Sequence, residues 1–328
     1  MLKSITLLLA ILLLSLLHLY AGTRSVSLLQ IYEALTHYQP HDYSHVVIVR
    51  QRLTRLIVAL VLGGLLGISG YALQKVMRND LVSPSTLGIN SGATAFVTIG
   101  IAFFNLHGGT LFWPSLAGAC CALFVTFYAA SLLGNVRHDP FNLVLGGVIS
   151  ATLFSSCTVF LISLDPEAFG NVMGWMVGDI GIFDYQLLAL LWPLSIPALV
   201  MLVITSRALD LLSLGDEQAS SMGVNHAVIQ GAVLVSCIVI TVMAVTISGP
   251  IGFIGLVVPH IVRLAIGSHG RYALCLSFVI GSMVLVTADI LARALLSPRM
   301  LNVGTIMALV GGSGFLALVI AKSRRIQP

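Results

Sequence analysis

Charge is what this sequence has least of. Of 328 residues only 16 are Lys or Arg and 12 are Asp or Glu, 9% in all, where a globular chain of this length carries roughly 25%, or about 82. An ordinary soluble protein is excluded. The net charge of +4 is spread thinly, without a basic block interleaved with aromatics, so no nucleic-acid partner is expected. No C-x-x-C spacing occurs, and Cys120, Cys121, Cys157, Cys237 and Cys275 all fall inside apolar stretches. They read as small core residues, not as a disulfide or metal framework. The patterns G-x-x-x-x-G-K-[ST], H-E-x-x-H and G-x-S-x-G are also missing. The chain therefore has no means of cradling nucleotide phosphates by itself, and no catalytic, cofactor or metal site is expected. His37, His41 and His45 recur every four residues, but Pro40 and Asp42 interrupt any helix that would align them, so a solvated loop is expected there.

What the chain has is apolar surface: 58% of residues and a mean hydropathy of +1.03. At about 20 residues per span, ten spans would use roughly 200 positions. The runs number ten: Ile5 to Leu17, Leu56 to Leu73, Gly92 to Leu106, Leu111 to Leu133, Phe141 to Leu164, Gln186 to Thr205, Ala227 to Ile247, a shorter one near Leu256 to Ile266, Tyr272 to Leu291 and Val303 to Ala321. The expectation is an all-α, polytopic bundle of about ten transmembrane helices forming one domain over residues 1–328. The first run is read as a span and not a cleaved signal, because His18 to Gly22 offers no A-x-A pattern.

With both termini cytoplasmic, ten basic residues fall inside, among them Lys75, Arg78, Arg207 and Arg263, and six outside: Arg24, Arg50, Arg52, Arg55, Arg293 and Arg299. The bias follows the positive-inside rule. Acids and histidines are scarce within the runs, whereas ion-coupled carriers keep such groups for function despite a cost of about 2.5–3.5 kcal/mol at mid-bilayer. Asp289 and Arg293, four apart, can pair on one helical face. Gly63-x-x-x-Gly67 permits close helix contact.

Two stretches break the pattern. Gly249-Pro250-Ile251-Gly252-Phe253-Ile254-Gly255, followed by Pro259, does not suit a continuous helix. Non-helical backbone at membrane depth survives only when buried in protein or lining a cavity, so either a pathway wall or a re-entrant turn between packed helices fits. The second stretch, about 207–226, separates the sixth and seventh runs on the inner side. Asp216 and Glu217 suit the first turn of a short helix, Ala219 and Met222 would share a face, and Gly223 would stop it. A helix pushed by an ATPase partner and a solvated loop helix both fit these residues. Between the fifth and sixth runs, Asn171 to Gly181 is too short to cross. With Trp175 and Met176 it suits an interfacial helix at the outer mouth or a surface loop.

Taken together, Leu214-Gly215-x-x-x-Ala219-x-x-Met222-Gly223 and Gly249-Pro250-Ile251-Gly252-Phe253-Ile254-Gly255-Leu256-Val257-Val258-Pro259-His260-Ile261-Val262-Arg263-Leu264 resemble the FecCD-type permease subunit of iron-siderophore, haem and cobalamin ABC importers. Arg52-Leu53-Thr54-Arg55, Gln74 with Arg78-Asn79-Asp80-Leu81, Pro84, Leu87-Gly88, and Ala288 to Arg293 match in order, from about Arg50 to Ala321. The resemblance implies a ten-helix subunit paired with a second permease, two cytoplasmic ATPase subunits and a periplasmic or lipoprotein substrate-binding protein, in the cell inner membrane. It implies that Leu214, Gly215, Asp216, Glu217, Ala219, Met222 and Gly223 couple to the ATPase. Arg52, Arg55 and Arg293, taken as exposed at the outer face, would meet acidic groups on the binding protein. Gly249, Pro250, Gly252, Phe253, Gly255 and Pro259 become pathway candidates. The implied cargo is a ferric siderophore, with haem or cobalamin as alternatives, and ATP hydrolysis belongs to a separate chain. Thr54 and Asn302 stand where relatives commonly have Pro, and Gly311-Gly312-Ser313-Gly314-Phe315 replaces G-A-P-F-F. These changes weigh against a symmetric homodimer and toward a heterodimer with a sister permease, without deciding between them. An ion-coupled secondary carrier, which should function alone under an ion gradient, is the rival reading. A structural membrane scaffold is the third.

Overall fold

The computed structural model describes residues 2–22, 26–133, 140–167, 169–170, 173–181, 185–212, 215–266, 270–296, 299–317 and 320. In chain order the helices are α1 (Leu2–Tyr20), α2 (Leu28–Thr36), α3 (Tyr43–Val46), α4 (Thr54–Val76), α5 (Ile89–Phe104), α6 (Phe112–Leu133), α7 (Pro140–Leu164), α8 (Met173–Met176), α9 (Tyr185–Leu212), α10 (Asp216–Ser221), α11 (His226–Ser248), α12 (Ile254–Ile266), α13 (Gly270–Ala294) and α14 (Val303–Ile306). π-helical turns at Val47–Leu53 and Met307–Gly311 run into α4 and out of α14, whose helix continues to Ala317. No strand occurs among the described residues. Among the described residues six helical segments are long and apolar enough to cross a membrane, and four shorter apolar ones bring the number to the ten expected.

The core is built around α4. Of its most apolar stretch 83% is buried, against 28% for α6, 33% for α7 and 28% for α9, so α4 meets protein on nearly every side while the others keep one face outward. It packs most extensively on α13, and further against α9, α11 and α12. Small residues allow the α4–α13 approach: a Cβ on Gly63 would run into the Gly281 carbonyl, and one on Gly67 into the Ser277 carbonyl. The Ser282 hydroxyl donates across the same seam to the Leu60 carbonyl at 2.6 Å. A second group, α5, α6 and α7, closes on Ala95, Ala122 and Phe154.

Several readings change. Only Cys237 is buried. Cys120 and Cys275 are exposed, and Cys121 and Cys157 are half-buried, because an apolar stretch that faces outward does not place its small residues in the core. His45 is not solvated: it is 4% exposed, and its Nδ1 accepts the Gln39 N–H at 3.1 Å. The polar stretch starting near Arg207 is not a loop at its beginning, since α9 runs on to Leu212. Ser206 and Thr205 return their hydroxyls to carbonyls of their own helix, and so the helix outlasts its apolar run.

Candidate functional site

At one end of the bundle five side chains from three helices converge. The π-helical turn before α4 adds a residue per turn and brings Arg52 inward, where Nη1 donates to the Leu19 carbonyl at 2.7 Å and the Tyr20 carbonyl at 3.0 Å. On the next turn Arg55 Nε reaches Asp289 Oδ1 at 2.6 Å. The other carboxylate oxygen of Asp289 takes His18 Nε2 at 2.7 Å and Arg293 Nε at 3.0 Å, as the four-residue spacing of Asp289 and Arg293 led one to expect. Arg293 also donates to the carbonyls of Ala21 at 2.7 Å and His18 at 3.2 Å. The last carbonyls of α1, which no helix satisfies internally, are therefore capped by guanidinium groups from the turn before α4 and from α13. Asp289 and His18 are fully buried. Arg52 and Arg293, expected at an exposed face, are 5% and 4% exposed. That expectation is corrected: a charge counted at a helix end is drawn inward when a buried carboxylate and unpaired carbonyls lie within its reach.

A cavity of about 410 Å³ opens at this end, lined by Tyr43, Arg50, Arg52, Arg55, Gly181 and Arg293 among others. Two carboxylates, Asp289 and Asp179 (3.7 Å from Arg55 Nη2), stand against four arginines. The basin keeps an excess of positive charge and can accept an anionic group.

At the opposite end α10 joins α9 to α11. Gly215 precedes it at φ +126°, and Gly223 leaves it at φ +80° with Val224 N–H returned to the Ala219 carbonyl and Gly223 N–H to the Ser220 carbonyl, a Schellman stop. The expected short helix is present with Asp216 and Glu217 in its first turn. Ala219 is buried, while Met222, the residue just past the end of α10, is 60% exposed. Leu214 lies outside the described residues. Lys75 at the end of α4 pairs with Asp210 of α9 at 3.3 Å, and His226 Nε2 sits 3.4 Å from the Val76 carbonyl, fixing α4, α9 and α11 together at this end.

Between the two ends, α11 stops at Ser248 and α12 starts at Ile254. The five residues between are non-helical, as the glycines and Pro250 required. Gly249 has φ +73°, and a Cβ there would collide with the Trp175 carbonyl, so α8 lies directly on this stretch. Asp179 N–H donates to the Ser248 carbonyl at 2.9 Å, and Asn90 Nδ2 to the Ile251 carbonyl at 3.2 Å. Phe253 holds φ +67° without being glycine, its ring against Gly311 and Gly312. The irregular backbone is thus satisfied by protein on one side. A Cβ added at Gly252 or at Gly314 would meet nothing within 4 Å. Of the pathway candidates, Gly249, Pro250, Gly252 and Phe253 lie in this stretch, while Gly255 and Pro259 lie in α12. Asn302 donates to the Gly174 carbonyl at 3.1 Å and so ties the last helix to α8.

Residue reasoning passed over His18, Asp179, Asn90 and the contacts of Gln74. The signal for His18 was its place at the end of an apolar run, level with the one run-embedded acid, Asp289.

The FecCD transport family model matches residues 7–321. The chain is 33% identical over 293 residues to "Probable siderophore transport system permease protein YfiZ" of Bacillus subtilis (strain 168), covering 89% of this chain and 86% of that protein. It is 32% identical over 293 residues to the Fe(3+) dicitrate transport system permease protein FecD of Escherichia coli (strain K12), covering 87% and 89%. Among solved structures, one described as an inward-facing conformation of a metal-chelate type ABC transporter superposes with a TM-score of 0.80 at 26% identity, covering 96% of this chain and 97% of that one.

Proposed function

The chain belongs to the FecCD transport family and is a multi-pass membrane permease of the ABC importer type, and on that premise we propose that it forms, as one domain, half of an inner-membrane pathway for a ferric siderophore. Haem or cobalamin is the alternative cargo of the same machine. A second permease, identical or a sister chain, forms the other half. Two cytoplasmic ATPase subunits hydrolyse ATP and push on Asp216 to Gly223. A periplasmic or lipoprotein binding protein docks at the arginine basin. In this arrangement both termini are cytoplasmic and the basin is outside.

One observation carries the reading: a basin rich in arginine and a short capped helix stand at opposite ends of the bundle, with the irregular Gly249 to Phe253 stretch between them. Of the four arginines, the exposed Arg50 is the one placed to meet a partner carboxylate, since Arg52 is held by α1 carbonyls, Arg55 by Asp289 and Asp179, and Arg293 by α1 carbonyls and Asp289. Attraction there raises encounter rate and sets register more than affinity. The basin's excess charge supports this role, and the departures at Asn302 and Gly311 to Phe315 favour a sister chain over an identical one.

Reconstitution tests the proposal. Liposomes holding the permease pair, the ATPase and ATP should import chelate only when the binding protein is present. Import by the purified chain alone under a proton or sodium gradient would replace this reading with the secondary-carrier one.

A further inference from the structure

Pro259 sits inside α12 and has no N–H, so the Gly255 carbonyl, four residues earlier, loses the donor that an unbroken helix would supply. In a membrane such a carbonyl must be met from elsewhere. Here the donor comes from α4: Gln74 Nε2 lies 3.4 Å from both the Gly255 and the Leu256 carbonyls. The same amide accepts from Arg263 Nη1 through Oε1 at 2.8 Å. Gln74 is 3% exposed. One side chain thus grips α12 on both sides of its proline, through main chain a turn before it and through a guanidinium a turn after it. Gly70, four residues earlier on α4, abuts Gly255 so closely that a Cβ on Gly70 would run into the Gly255 main chain. Arg263 is held in turn by His260 Nδ1 at 3.2 Å and by Asp80 at 3.4 Å. The residue after Gln74 is Lys75, whose partner Asp210 stands two residues before the end of α9. The chain of contacts runs from the segment leading into α10, through two consecutive residues of α4, to the half-span that carries Gly249 to Phe253 at its head.

We propose that Gln74 is a positioning residue that sets the bend of α12 at Pro259, and that with Lys75 it carries displacement of the α10 segment to the irregular stretch. This rests on the transport reading above. Satisfying an orphaned carbonyl and holding a bend are separable roles. Exchanging Pro259 for Ala returns an N–H to the Gly255 carbonyl inside the helix, which substitutes for Gln74 in the first role and not in the second.

The test uses the complete transporter in proteoliposomes, read two ways: chelate imported per ATP hydrolysed, and the distance between spin labels at the exposed positions Leu264 and Val228 after replacement of the native cysteines by serine. Gln74→Leu, similar in volume and without polar atoms, should leave assembly and basal ATP hydrolysis within about twofold of the parent, lower import per ATP at least tenfold, and broaden the label distance. The double variant Gln74→Leu with Pro259→Ala should regain thermal stability and remain uncoupled. Should Gln74→Leu fail to fold, Gln74→Glu, which keeps the acceptor for Arg263 and loses the donor to Gly255, should show a severalfold loss. Parental coupling and distance in Gln74→Leu, or in Gln74→Glu where that variant replaces it, would overturn the proposal, and so would recovered coupling in the double variant. If the parent itself imports nothing, the transport reading fails, while the label distance still decides whether Gln74 holds the bend.

Discussion

Asp289→Asn is the sharpest perturbation of the arginine end. The carboxylate has no exposed surface and three charged or chargeable partners within 3.0 Å: Arg55, His18 and Arg293. An asparagine keeps the shape and some hydrogen bonding but removes the fully buried negative charge between two guanidinium groups, of which Arg293 is 4% exposed. Removing one partner of a buried pair costs about 3–5 kcal/mol, because the remaining charge is left in a poor solvent. At roughly 2 °C per kcal/mol, the low end for large domains, detergent-solubilised protein should lose about 6–10 °C in its unfolding midpoint by fluorescence-detected size exclusion. Neutralising the cation as well, in Asp289→Asn with Arg293→Gln, should recover part of the loss. A midpoint within about 1 °C of the parent, or a double variant worse by the simple sum of two singles, would refute the claim that these charges offset one another in the interior.

Arg50→Glu, at an exposed cavity-lining position, should slow binding-protein association and flatten its dependence on ionic strength, since exposed charge pairs are screened. Unaltered association kinetics measured by surface plasmon resonance would remove the basin from the docking site. Replacing Asp216 to Gly223 with a Gly/Ser linker should abolish co-purification of the ATPase while the chain still inserts, and an intact complex would cancel the coupling role. Gly249→Ala puts a Cβ onto the Trp175 carbonyl at a positive φ, and should destabilise by at least about 1–3 kcal/mol, read as a lower midpoint. Full stability would mean that α8 does not rest on this stretch.

The ten apolar helical segments of the described residues were legible because a span is a composition, and composition is written along the chain. So was the break at Gly249 to Phe253, where two glycines and a proline forbid a helix whatever surrounds them. The four-residue spacing of Asp289 and Arg293 gave their pairing directly. What stayed hidden was everything that depends on two distant segments meeting. Arg52 and Arg293 looked exposed because they flank apolar runs, and nothing local says that α1 ends with its carbonyls beside them. Gln74 was visible only as a matching position, since its task is set by a missing N–H 185 residues away at Pro259.

Arg52 and Arg293 hold the first helix by its main chain, and a peptide carbonyl is the same whatever side chain stands beside it. Apart from His18, the anchorage is blind to spelling. Leucines along that helix, many of them turned outward, are thereby released to drift, so among related chains this segment should diverge fastest in letters while keeping its seat. Grafting an unrelated apolar helix that retains only the terminal histidine ought to leave the rest of the bundle undisturbed.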